Sequence, residues 1–115
     1  MINYTVNKTN RKSILGVSFS STKEMFPKWK NKKLKGFKPG KSSVAGSIIL
    51  DIKEGDINET LGDLQTNTAV IEYKLGNLMI VLNNIHIVNI GSGSILDDDS
   101  DELKITYVAT DYSIS

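Results

Sequence analysis

Apolar and polar residues alternate with a period of two through most of this chain, which predicts strands that bury one face. Ile2, Tyr4 and Val6 interleave with polar neighbours, and Ile14, Gly16 and Ser18 run against Leu15, Val17 and Phe19 in the same style. From Ser43 to Lys53 the sequence is β-branched and apolar, and Glu54-Gly55 stops it. The two most strand-like runs, Thr68 to Leu75 and Leu78 to Val88, are joined by Gly76-Asn77, a favoured two-residue hairpin pair. Leu103 to Tyr112 makes a last strand, with Ile105, Tyr107 and Ala109 on one face and Thr106, Val108 and Thr110 on the other. Only DINETLGDL reads as helix. Asp56 is its expected N-cap, Glu59 completes a capping-box pair, and Ile57, Leu61 and Leu64 share one face, although Gly62 weakens the segment.

The alternation lapses between residues 20 and 42, where lysines, Pro27, Gly36, Pro39 and Gly40 surround Phe26, Trp29, Leu34 and Phe37. A long basic loop is predicted there, and loops of that length in compact domains serve a function or order against a partner. Hairpin-type connections and one short helix predict a mainly β fold, an antiparallel β-sandwich or barrel, in a single β domain over residues 1–115. Ala45 and Gly46 stand out in a bulky strand, and small residues there predict close approach of another backbone.

Composition narrows the chemistry. At 115 residues the chain is long enough to bury a sizeable core. It contains no cysteine, so disulfides, thiolate metal sites and thiol nucleophiles are excluded. No apolar run approaches the length of a membrane helix and the N-terminus lacks an apolar leader core, so no membrane partner is expected. Net charge is +1, yet the charges are segregated, with eight lysines between Lys23 and Lys41 and an acidic run at Asp97, Asp98, Asp99, Asp101 and Glu102. Arg11 is the only arginine, and lysine suits diffuse surface charge better than bidentate phosphate recognition.

Candidate motifs are few. GFKPGKSS approximates a phosphate-cradling loop, but its glycines are one residue too close, Pro39 removes an N–H group, and a strand follows instead of a helix. A Pro-Gly turn launching a strand explains it. His86, the only histidine, alternates with Ile85 and Ile87 and has no carboxylate near it in sequence to orient it as a base. DDDSDE lacks the spaced ligands of a calcium loop and reads as a solvated acidic segment. No catalytic residue, cofactor site or metal site is assigned. KWKNKKLKGFKPGK interleaves aromatics with lysines as a surface for single-stranded nucleic acid would, and Trp29 and Phe37 read equally as anchors docking on a protein.

Two stretches are more specific. KPGKSSVAGSIILDI resembles the G-K/R-x-x-(I/V)-A-G-S-(I/L)-x-(I/F) signature of tail-tube-like virion structural proteins of bacteriophages. GSGSILDDDSDELKITYVATDYSIS resembles their ending, a Gly-rich turn and an acidic loop before a strand containing (V/A)-A-x-D. The resemblance spans about half the chain and departs from the pattern between Asp51 and Val81, where relatives carry a longer and more aromatic insertion. It implies a non-catalytic subunit of the virion tail, made in the bacterial host cytoplasm. Such a subunit forms a homo-oligomeric ring, stacked with others around a channel for DNA and joined to other phage tail proteins, in the tube or in a baseplate or tube-associated ring. The alternative function is a single-stranded nucleic-acid-binding module using Lys28 to Lys41. In the assembly reading the expected subunit interface is Trp29, Lys30, Lys32, Lys33, Lys35 and Phe37, with Ala45 and Gly46. Those lysines would face Asp97, Asp98, Asp99 and Asp101 of a neighbour.

Overall fold

The computed structural model describes residues 2–92 and 101–115, and for 23–26, 35–43 and 92 the backbone alone. Its elements are β1 (Tyr4–Val6), β2 (Thr9–Asn10), β3 (Ile14–Lys30), β4 (Lys33–Asp51), α1 (Ile57–Leu64), β5 (Ala69–Leu75), β6 (Leu78–Ser92) and β7 (Glu102–Ile114). Every strand pair is antiparallel, and the strands form one seven-stranded sheet in the order β2-β1-β5-β6-β7-β4-β3. The mainly antiparallel β fold with one short helix is therefore as the sequence predicts. The sheet is not closed into a barrel, because β2 and β3 remain as its two edges.

Alternation places the core. Ile48, Leu50, Ile71, Leu82, Ile85 and Ile105 are fully buried, and Leu64 of α1 joins them while Ile57 and Leu61 pack against the cluster. The inward set changes parity where Leu82 pairs with Tyr112 but Ile85 pairs with Ala109. Asn84, at φ 54°, absorbs the irregularity, and its side-chain amide donates to Thr110 Oγ1 at 3.2 Å. Next to it Asn83 donates to Asp111 at 2.5 Å.

Two corrections concern local structure. Asp56 precedes α1 but its side chain makes no capping bond. The carboxylate instead accepts the N–H groups of Lys12 (2.8 Å) and Ser13 (3.0 Å), tying the start of β3 to the helix. Ser13 and Thr60, both fully buried, share a hydroxyl hydrogen bond at 2.7 Å, and Arg11 pairs with Asp63 at 2.8 Å. The second correction is larger. Residues 20–42 are not a loop but the far part of a β3–β4 hairpin, registered from Ile14↔Leu50 to Lys30↔Lys33. β4 pairs with β7 only from Val44 to Asp51, so from Lys23 and Ser42 outward β3 and β4 have only each other as strand partners among the described residues. The result is a two-stranded ribbon leaving the sheet, and the molecule is 62 Å in its longest dimension.

Candidate assembly surface

The ribbon turns at Asn31 and Lys32, with φ of 52° and 64°. Positive φ at both central residues makes a type I′ turn, whose twist matches that of antiparallel strands, and asparagine enters this region more readily than most residues. The same Asn-Lys pair, Asn7 and Lys8 at φ 51° and 71°, turns β1 into β2. Trp29 and Leu34 are direct cross-strand partners at the tip and are 63% and 48% exposed. Lys28, Lys30, Lys32 and Lys33 around them are all exposed. Along β3, alternation puts Pro27 on the Trp29 side, and register puts Lys28, Lys30 and Lys33 on the other side. The tip thus carries an apolar pair with lysines beside and behind it.

Of the residues expected at an interface, Trp29, Lys30, Lys32 and Lys33 are brought together here, and the backbones of Lys35 and Phe37 follow within the ribbon. Ala45 and Gly46 lie in the body of the sheet. Gly46 is as tightly packed as expected: a Cβ there would overlap the Ser18 carbonyl and lie 2.8 Å from Phe19 Cα. The reason is Tyr107, its cross-strand partner on β7, whose buried phenol passes over to donate to Ser18 O on β3 at 2.8 Å. Burial, with a smaller contribution from Tyr73, pushes the Tyr107 phenol well up, so the donor stays protonated. Ala45, by contrast, is exposed between Ser20 and Val108 on the outer face, which corrects the expectation of close packing there.

Asp97, Asp98 and Asp99 lie outside the described residues. Asp101 immediately precedes β7, accepts Ile52 N–H through its backbone at 2.7 Å, and pairs with Lys53 at 2.5 Å. That hydrogen bond and its charge raise the Lys53 pKa. Since Glu102 registers with Asp51 and the ribbon tip with Lys33, Asp101 and the lysine tip occupy opposite ends of β4. Within one chain they cannot meet.

A second surface was not legible in the alternation. β6 pairs with β5 only as far as Ile85↔Ala69, so from His86 to Ser92 its edge away from β7 has no strand partner among the described residues. Val88 and Ile90 on this stretch are 62% and 43% exposed, and His86 is half-buried opposite Val108. Among the described residues no group of three or more His, Asp or Glu could hold a metal ion, and no helix is long and apolar enough to cross a membrane.

No known family profile and no curated protein matches the sequence. Solved structures do. A chain of the sheath/tube terminator of the PVC extracellular contractile injection system, in its extended state, superposes with a TM-score of 0.65 at 15% identity over 99% of this chain and 92% of that one. A chain of the sheath-tube complex of the same system gives 0.63 at 14%, covering 99% and 87%. A chain from the virion of a native gene transfer agent particle gives 0.64 at 9%, covering 99% and 95%. This is the tail-tube fold. At such low identity the likeness lies in the path of the backbone. Because 99% of the chain is covered, the tail-tube fold accounts for the ribbon and the helix as well as the sheet.

Proposed function

We propose that this chain is a structural subunit of a phage-tail-like tube, or of a ring joined to one in the baseplate or at its end. Copies assemble into rings that stack around a channel through which DNA passes. The observation that carries this reading is the full-length likeness to chains from tube, sheath and virion assemblies. The surfaces left open among the described residues support it: a β6 edge without a strand partner, exposed Val88 and Ile90, and a projecting ribbon. Unpaired edges of this kind are managed in assemblies by pairing across subunits. No reaction is assigned to the chain. Other tail proteins are its further partners, and the virion tail is its location.

Light scattering after size exclusion, followed by negative-stain microscopy, tests the proposal. Rings or tubes are expected. A compact monomer that stays monomeric at high concentration and binds single-stranded oligonucleotides in a salt-sensitive way would replace this reading with the nucleic-acid one.

A further inference from the structure

The ribbon is the basic pole of the molecule. Between Met25 and Leu50 the sequence carries seven lysines and no acidic residue, and since the net charge is only +1, the rest of the chain is net acidic. All seven lie where β3 and β4 have only each other as strand partners among the described residues. At the tip the ribbon is two-sided. Trp29 and its cross-strand partner Leu34 stand on one side with Pro27, and Lys28, Lys30 and Lys33 stand on the other, all of them exposed. From Lys23 to Lys30 β3 spans about 25 Å, so the tip can enter another phase while the core stays in water.

We propose that the tip is a peripheral anchor for a bilayer rich in anionic lipid, Trp29 and Leu34 entering the headgroup boundary while Lys28, Lys30, Lys32 and Lys33 lie against the lipid phosphates. The expectation of no membrane partner followed from the lack of a spanning segment, and a peripheral anchor needs none. An amphipathic element with Trp and Leu on one face and lysines on the other settles about 5–10 Å into the boundary between headgroups and acyl chains. Indole prefers that depth, and lysine stems are long enough to bring their ammonium groups back to the phosphates. Each lysine held near an anionic surface strengthens binding by a factor of about five, and the same field repels the net acidic remainder, so the molecule approaches ribbon first. Single-stranded nucleic acid would also use the lysines, but its bases stack on aromatic rings, and the partner of Trp29 is aliphatic. The anchor goes beyond the assembly reading and concerns chains whose tip no other copy covers, the free subunit first among them.

Trp29 is the chain's only tryptophan, so its fluorescence reports from the tip alone. The full chain, taken as monomer from size exclusion, is mixed with vesicles of phosphatidylglycerol and phosphatidylcholine in equal parts, or of phosphatidylcholine alone. With the anionic vesicles the emission maximum should move to the blue by about 10 nm and be quenched by lipids brominated on their acyl chains, while phosphatidylcholine alone leaves it unchanged. Affinity measured by vesicle flotation should fall about 25-fold in Lys28→Gln with Lys30→Gln. It should fall about tenfold in Trp29→Ala with Leu34→Ala. These positions are exposed, so the thermal melts of both variants should match the parent's. No blue shift on the anionic vesicles, an equal shift on both kinds, or flotation that survives the loss of Trp29 and Leu34 overturns the anchor. A shift with a single-stranded oligonucleotide but not with vesicles gives the ribbon to nucleic acid and overturns it as well. Failure on vesicles leaves ring formation, which microscopy reads separately, untouched.

Discussion

Gly46 is the residue at which sequence, packing and hydrogen bonding depend on one another most closely. Its lack of a side chain lets the Tyr107 ring cross from β7 to β3, and the Ser18 carbonyl it reaches is the atom any Cβ at 46 would strike. Gly46→Val therefore cannot be absorbed by a rotamer change, because the obstruction is backbone. A loss of about 3 kcal/mol or more is expected, at the upper end of overpacking costs. Urea titration measures it, and a midpoint equal to the parent's would refute the packing account. Tyr107→Phe removes only the hydroxyl and should cost about 1 kcal/mol in the same titration. The small residue in a bulky strand was readable in the sequence, but the tyrosine that requires it lies 61 positions away and was not. Ala45 shows the limit of the same signal, since its neighbour's constraint does not extend to the opposite face of the strand.

Elements were legible where alternation ran unbroken and hidden where the chain's own partner strand fixed the structure. β5, β6 and their Gly76-Asn77 turn follow from the pattern, with Gly76 at φ 63° supplying the conformation the turn needs. The ribbon did not, because Pro27, Gly36 and Pro39 depress strand propensity and its turn carries lysine where glycine is the usual marker. Asn7-Lys8, turning the same way, was the available clue. Left-handed geometry is unfavourable for lysine by about 1 kcal/mol, so Lys32→Gly should slow amide exchange across Trp29 to Leu34 by a factor of about five. Unchanged protection would mean that the turn does not limit ribbon opening. At α1 the helix-start signal was real but Asp56 does other work, bonding to residues 44 and 43 positions away. Burial raises its pKa, yet the Ser13 and Lys12 donors and the Arg11 charge outweigh that and hold it below the ordinary value of 3.8. A carboxyl depressed on folding stabilises fully above its unfolded pKa and loses that contribution as pH falls through its folded one. Asp56→Ala should thus be less stable than the parent by about 1–2 kcal/mol at pH 7. The gap should close as pH drops below about 4, and a constant gap in urea midpoints from pH 7 to 2 would argue against the carboxylate as its source.

At the scale of the whole molecule, what distinguishes this chain from a self-sufficient domain is how much it leaves unfinished. Among the described residues the β6 stretch from His86 to Ser92 has no strand partner on its edge away from β7, and the apolar Val88 and Ile90 are exposed on it. Side chains already in water in the monomer contribute little to its stability, so replacing them should change it by no more than about 0.5 kcal/mol. If the edge is where a neighbouring copy adds its strand, lysines there would forbid the contact, as they do on the edges of monomeric sheets. Val88→Lys with Ile90→Lys is accordingly expected to melt with the parent and to form no rings, while His86→Ala, which leaves both apolar residues in place, assembles normally. Thermal melts beside negative-stain grids separate the cases. A double variant that melts early has shown Val88 and Ile90 to be core residues, and one that melts normally and still forms rings has shown that the subunits join elsewhere.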